Sequence, residues 1–488
     1  MFDNRVHDHW EPPESPESRS LLETLTFARR AENQAAARRL RAAGRLFETR
    51  RAERGESEDW AVDSWAAVSA EIAAAASITP GRAGSWIRHG VAMRRLPATA
   101  AVFEAGDLDA DTFATIAYRT ELVTDPDTTE RLDRLIAARA ARWRARSLGR
   151  TIAEIDRLVH QVDRDAVRRR RERIRDREIT VWDATEDTAD ISGRLLATDA
   201  VALDKRLDAL AATVCEADPR THAQRRADAL GALAAGAQRL MCRCERPDCP
   251  AAAAVASSVV IHVVADQSAL EGSTDNPAHL YGSDTLISAD LLREIAATAR
   301  LRPLIHPANA PAEPHYRPSR ALADFVRARD LTCRAPGCDR PATECDLDHT
   351  IPYGRGGPTH ASNIKALCRL HHLLKTFWGW RDRQLPDGTV IWELPGRQTY
   401  VTNPGSKPLF PTLSAPTSPP LIPPRYCAAD PTAMPKRATT RARNRAHHLA
   451  TERNANRTER EAREARQIRE AALVRRPPPG PGDDSPPF

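Results

Sequence analysis

The chain reads as a mainly α protein with small β elements. It divides into a helical N-terminal domain and a compact, zinc-stabilised C-terminal module ordered strand, turn, short strand or loop, helix. Three observations predict this. The apolar residues are mostly Ala, Leu and Val, a blend that favours helix. Helical spacing of apolar residues recurs through most of the first 300 positions. Cys333 and Cys338 form a Cys-x4-Cys pair, and Cys368 and His371 a Cys-x2-His pair, which together make the donor set of a closed tetrahedral Zn2+ site.

Taken in order, residues 1–19 are polar, acidic and Pro-rich and are expected to be disordered. Ser20 opens "SLLE", a capping box with Glu23, and a helix follows through Leu25, Leu40, Leu46 and Phe47. Helical patterns continue over 60–95, 112–117 and 128–162. "VRRRRERIRDRE" is charge-dense and exposed, and "EITVWD" with "DISGRL" alternates as a short hairpin. Residues 199–240 return to helix, "SSVVIHVVAD" reads as a buried strand and "SADLLREIAATA" as a helix. The helical domain thus spans 20–300. Pro303, Pro307, Pro311, Pro314 and Pro318 mark a linker over 301–319. The compact module occupies 320–402, and 403–488 is a Pro-rich spacer with a basic, charged tail whose Glu459/Arg463 and Arg460/Glu464 pairs stand at helical spacing.

At 488 residues the chain is long enough for two or three domains. Lys and Arg number 72 against 66 Asp and Glu, a formal charge of +6 that permits local basic faces but names no partner. The sequence opens on "MFDNRVHDHWEPPESPES", which lacks the pattern of a secretory signal. The most apolar run, "AAAAVASSVVIHVVA", is too short to span a bilayer. A reducing cytoplasm with no membrane partner is the expected setting. There, clustered cysteines read as metal ligands before disulfides.

The polar residues between the two pairs carry the chemistry. "CDLDHTIP" alternates as a strand with Asp348 and His349 at its end, "GRGGPT" turns the chain, and Asn363 precedes the helix "IKALCRLHHLLKTFW". That helix would bring His372 back toward Asp348 and His349. This set suits metal-assisted phosphodiester hydrolysis. An imidazole near its ordinary pKa can deprotonate water, and a divalent cation held by Asp348 and His372 can neutralise charge on phosphate and leaving oxygens. Asn363 can fix the loop or the imidazole tautomer. Cys345 is either a replacement ligand or a buried thiol.

Residues 333–375 resemble the HNH endonuclease family on "DLDH", "GGPTHASN" and "CRLHHLLK". The resemblance implies a ββα-metal (HNH) module with His349 as general base and Asn363 orienting it. It implies Asp348 and His372 on a catalytic Mg2+ or other divalent cation, and a structural zinc on Cys333, Cys338, Cys368 and His371. It also implies DNA as partner, with 5′-phosphate and 3′-hydroxyl ends. His371 stands where many relatives have Cys, which leaves open which of His371 and His372 faces which metal. "RDLTCRAPGCDRPA", "RRADALGALAAG" and "MCRCERPDCPAAA" further resemble, over about 20–400, actinobacterial proteins with an N-terminal helical domain of unknown function (domain of unknown function 222, mycobacterial repeat-family type) ahead of an HNH module. The expected function is therefore a metal-dependent DNA endonuclease. The alternatives are a non-cleaving, zinc-stabilised DNA-binding protein and an oligomeric interaction protein acting through its helical domain.

Four further stretches carry weaker expectations. Cys242, Cys244 and Cys249 in "CRCERPDC" suit a metal if a fourth ligand comes from elsewhere, His262 or His306 being the candidates. Residues 69–96 have the outline of a helix-turn-helix with Arg88, Arg94 and Arg95 facing phosphates, against which plain bundle packing is the favoured reading. Arg168–Arg171 read as a solvated helix face, and the acid-free segment 436–448 as either a phosphate-contacting arm or a plain tail. Trp378, Trp380, Trp392 and Tyr400 surround a "DG" turn and are expected to pack on the zinc core rather than stack on bases.

Overall fold

The computed structural model describes residues 15–474, apart from 55–57, 141–142, 144–146, 169–176, 186, 245, 252–261, 282–285, 298, 309 and 418–432. It is mainly helical with small sheets. Two compact units form, one from Met1–Arg169 with Pro431–Phe488 and the other from Arg170–Asp430. The expected limits at 300 and 320 fall inside the second unit.

The first unit begins with α1 (Pro16–Arg54). Pro16 presets the first helical φ, and the Ser15 hydroxyl accepts from the Ser18 amide at 3.1 Å. The helix therefore starts before Ser20, and the expected capping box lies inside it. There follow α2 (Ser64–Ala76), α3 (Pro80–Arg95), α4 (Pro97–Glu104), α5 (Ala110–Arg119), α6 (Pro126–Ala140) and α7 (Leu148–Val162). Asp63, Thr79 and Asp109 cap α2, α3 and α5 with their side chains. The core joins Leu40, Met93, Leu96, Phe103, Phe113, Ile116, Leu132, Ile136 and Ile155. Helices α1 and α3 cross where Gly44 meets Gly90. A Cβ on Gly90 would lie 2.1 Å from the Leu40 carbonyl oxygen, so only glycine allows this approach.

The α2–α3 pair packs as part of this bundle. Arg95 turns inward and donates to the Ala117 and Thr120 carbonyls at the end of α5, while Arg94 pairs with Glu48. Arg95 is thus committed to the bundle.

The tail departs from expectation. Arg441–Val474 form one helix, named α14 below, whose basic residues meet acids of the first unit. Arg437 and Arg441 pair with Asp63, Arg445 with Glu121, Arg453 with Asp163 and Arg460 with Asp165. Asn456 donates to the Asp165 and Val167 carbonyls. The acid-free stretch is thus matched by acids about three to four hundred positions upstream, which Arg437, Arg441 and Arg445 meet within the first unit. Arg168 is likewise no solvated face residue: it is buried between Glu121 and Glu452. Arg169–Arg171 lie outside the described residues.

In the second unit, β1 (Glu178–Thr185) and β2 (Thr188–Arg194) form the expected antiparallel hairpin. Then come α8 (Ala197–Ala211), α9 (His222–Ala234), β3 (Val263–Val264), α10 (Gln267–Leu270), β4 (Ala278–Leu280), β5 (Leu286–Ile287) and α11 (Ala289–Ala296). Half of "SSVVIHVVAD", 257–261, lies outside the described residues, and its described part contributes β3 to the sheet β3-β4-β5.

The C-terminal part of this unit contains α12 (Arg320–Asp330), β6 (Asp346–His349), β7 (Ile364–Leu367), α13 (Arg369–Phe377) and the antiparallel strands β8 (Arg381–Gln384), β9 (Val390–Glu393) and β10 (Thr399–Thr402). Phe325, Val326, Ala361, Ile364, Phe410 and Leu413 share one core, so the packed region runs beyond 402. Arg329, 1% exposed, donates to the Ala361 and Ile364 carbonyls and ties α12 to β7. Asp330 accepts from the Ala366 amide at 2.8 Å and secures the same strand.

Candidate metal centres and the Asp348–His349 site

Two antiparallel strands and a helix build the site. In the β6–β7 pair Asp348 stands opposite Lys365 and His349 opposite Ile364. Helix α13 follows β7 directly after Cys368 and returns across β6. The order agrees with the sequence reading, but Ile364–Leu367, expected as the first turn of the helix, form β7 instead, and the helix starts at Arg369.

Cys333, Cys338, Cys368 and His371 converge, with one donor atom of each within 4.8 Å of the others. His371 Nδ1 lies 3.2 Å from Cys368 Sγ and 3.6 Å from Cys333 Sγ. The set is placed to hold a metal ion. A turn closed by the Cys338 amide on the Ala335 carbonyl brings the first pair together, and Cys368 at the start of α13 presents the second. Buried His371 Nε2 has no hydrogen-bond partner among the described residues, so the ring is committed through Nδ1 to the sulfurs. Trp380 packs on the His371 ring at 5.5 Å and meets Trp392 at 5.9 Å, as expected for aromatics that close over this centre. Tyr400 is partly exposed and hydrogen-bonds Gln398. Cys345 is a buried thiol outside the four, directed at the Arg340 and Pro341 carbonyls.

His372 points the other way. Its Nδ1 is 2.9 Å from Asp346 Oδ2, and its Nε2 is 3.5 Å from Asp348 Oδ1. The other oxygen of Asp348 accepts from Lys365 at 2.8 Å and Lys375 at 2.6 Å. Both lysines also face buried Asp382, at 2.6 and 3.3 Å. Two carboxylates and two ammonium groups therefore form a neutral buried cluster beneath β6. Burial alone would raise the Asp348 carboxyl, but Lys365, Lys375 and His372 outweigh it and hold the group below the usual carboxylate range.

His349 is 4% exposed. Its ring stacks on Tyr316 at 5.3 Å and lies edge-on to Tyr353 at 5.8 Å. Nε2 is 2.9 Å from the Thr359 hydroxyl, whereas Nδ1 is buried with no hydrogen-bond partner among the described residues. Burial lowers its pKa, Asp348 opposes this, and Lys365 and Lys375 add to the lowering, so the imidazole is held neutral.

Asn363 acts on the loop rather than on the ring. Its Oδ1 accepts from the Ile351 amide at 2.8 Å, and Nδ2 donates to the Ile351 and Pro358 carbonyls at 3.0 and 2.9 Å. The ring nitrogen that Asn363 was expected to orient is instead held by Thr359. Asn363 fixes the turn that carries Thr359, so it is a positioning residue. Sequence reasoning missed Thr359, Asp346, Lys365 and Asp382. Asp346 carried a signal, since it shares a strand face with Asp348 two residues on.

A second cluster gathers Cys242, Cys244 and Cys249 with Cys215. The fourth member is neither His262 nor His306. His306 packs on Phe325 and contacts the Ala415 carbonyl, and His262 lies against Tyr281.

A model of the family described as "Domain of unknown function (DUF222)" matches residues 27–330. Among relatives, "Uncharacterized protein Rv3776" of Mycobacterium tuberculosis is 45% identical over 443 residues, covering 84% of each chain. "Uncharacterized protein Rv2100" of the same organism is 45% identical over 457 residues, 84% of this chain and 82% of the relative. "Uncharacterized protein in est 3'region", also from Mycobacterium tuberculosis, is 41% identical over 355 residues, 67% of this chain and all of the relative. No solved structure matches the chain. No helix among the described residues is long and apolar enough to cross a membrane.

Proposed function

The chain belongs to the DUF222 family, and we propose that residues 320–402 act within it as an HNH-type, ββα-metal endonuclease module that hydrolyses DNA phosphodiester bonds. The observation that carries this is the pairing of Asp348 Oδ1 with His372 Nε2 at 3.5 Å, beside a buried His349 whose Nδ1 is unpartnered.

Asp348 and His372 would hold the catalytic cation. The donor set fits a hard divalent ion such as Mg2+ or Mn2+: one carboxylate oxygen and one imidazole nitrogen leave most positions to water and phosphate. Such an ion, when bound, supplies neutralisation of charge on the phosphate and leaving oxygens. The protein's own residues do the rest. Thr359 holds His349 Nε2, which leaves Nδ1 to accept a proton from water. The lowered pKa keeps the ring neutral near pH 7, and donation from Nε2–H to the Thr359 hydroxyl would leave Nδ1 as the free acceptor. Asp346 fixes the ring of His372 and directs Nε2 toward Asp348, the carboxylate–histidine arrangement that orients metal ligands. Zn2+ on Cys333, Cys338, Cys368 and His371 would be structural, because four protein donors close the tetrahedron.

One observation favours a second reading, a zinc-stabilised DNA-binding module that does not cleave. Lys365 and Lys375 both occupy Asp348 Oδ2, which weakens that carboxylate as a metal ligand. Cleavage of supercoiled plasmid by purified protein, with and without Mg2+ or Mn2+ and beside His349→Ala, separates the two. Metal-dependent nicking abolished by the substitution supports the nuclease. Retained DNA with zinc bound and no nicking supports the scaffold.

A further inference from the structure

We propose that Cys215, Cys242, Cys244 and Cys249 form a second, structural four-thiolate Zn2+ site that fastens the segment after α8 to the loop after α9. It stands independently of the nuclease reading.

The distances select metal over disulfide. Zn–S bonds of about 2.3 Å at tetrahedral angles put sulfurs roughly 3.8 Å apart. The four Sγ atoms all lie within 4.8 Å of one another, and Cys215 and Cys242 are 3.5 Å apart. A disulfide needs sulfurs about 2.05 Å apart and would join only two of the four.

The backbone around the sulfurs is built to present them. The Thr213 hydroxyl accepts from the Leu240 amide at 2.8 Å, two residues before the first thiols of each segment. On the far side, the enclosed carboxylate of Asp218 accepts from the Arg243 amide at 2.9 Å. Arg220 donates to Asp218 and to the Met241 carbonyl, both at 2.7 Å, and so ties the two segments together beside the thiols. The Cys242 amide bonds the Ala251 carbonyl, and the Cys249 amide bonds the Arg246 carbonyl, which turns Cys249 back toward Cys244. The two segments are thus joined before and after the cysteines.

The local core explains why such a site is needed. Among the described residues of 197–251 the buried apolar ones are Leu210, Ala211, Ala229, Ala237, Leu240 and Ala251, four alanines and two leucines beside Cys242. That little apolar area leaves metal binding to supply much of the local folding free energy. Four thiolates leave no coordination position for substrate, so the role is structural.

The test uses the full chain purified in reducing buffer, with metal content measured by elemental analysis and native mass spectrometry. Two zinc ions per chain are expected, falling to one in Cys244→Ser/Cys249→Ser. Cys215→His, which keeps a zinc donor, should hold both ions. Cys215→Ser should lose the second to chelator at least about tenfold faster, as weakened ligation does. Alkylation of the unsubstituted chain needs no variant to fold. Cys215, Cys242, Cys244 and Cys249 should be protected together and become reactive together when zinc is removed. One zinc per chain with these four cysteines freely alkylated, or a Cys215–Cys242 disulfide in the purified protein, would overturn the proposal.

Discussion

Asp346 Oδ2 sits 2.9 Å from His372 Nδ1, and this one contact turns the ring so that Nε2 faces Asp348. Neighbouring His371 meets the sulfurs instead. Asp346→Ala should therefore free the ring and lower divalent-cation affinity and cleavage by about 10–100-fold while leaving the zinc content unchanged. Isothermal titration with Mn2+ and metal analysis check both halves. Unaltered Mn2+ binding would show that Asp346 has no such role.

Zinc on the four donors Cys333, Cys338, Cys368 and His371 should hold the C-terminal module together, because its strands are short and its core small. Cys368→Ser should make residues 320–417 protease-sensitive with the helical first unit still intact. Cys368→His, which keeps a zinc donor at that position, should retain protection. Limited proteolysis followed by mass spectrometry reads both.

Lys365 is fully buried between Asp348 and Asp382. Lys365→Met leaves two buried carboxylates with one cation and should cost about 3–5 kcal/mol of the unit's stability. Lys365→Met combined with Asp382→Leu removes one charge of each sign and should lose less than Lys365→Met alone. Denaturant unfolding of both variants checks the order. Equal losses would mean that the cluster is not coupled.

The docking of α14 should weaken in acid. Hydrogen bonding and charge from Arg460 hold the Asp165 carboxyl below its usual range, and Lys436 does the same for Asp59. A depressed carboxyl stabilises the folded state in full above its unfolded pKa, near 4, and that stability is lost as pH falls through the folded value. Protection factors of the α14 amides, referred to the intrinsic exchange rate at each pH, should be high at pH 7 and fall below about pH 4. Arg453→Ala should lower them at pH 7. Equal protection at both pH values would exclude these pairs as the fastening.

Much of the second unit's site was legible in the sequence because it is local. Donor types, the two Cys pairs and the strand–turn–strand–helix order lie within about forty residues, and short strands and turns follow from nearby side chains. The choice between His371 and His372 was not legible. Adjacent helical residues point about 100° apart, so one must face the sulfurs and the other the carboxylates. Which does which depends on the face that α13 turns to β6. Asn363 was legible as a loop residue, but Thr359 as the partner of the His349 ring was not, since an unremarkable threonine in a turn carries no spacing signal.

By itself the sequence determined which atoms are available to bind metal and the helical character of most of the chain, because donor chemistry and hydrophobic period are properties of residues in a row. Only the tertiary structure decided who meets whom. Cys215 joins a cluster 27 residues away, Lys365 and Lys375 converge on Asp348, and the Arg-rich tail finds Asp63, Glu121 and Asp163 across more than 280 residues. Spacing along the chain carries no trace of these meetings. They follow from the packing of whole elements, which brings charges and sulfurs of distant segments within a few ångströms and makes each one's burial depend on the other's presence.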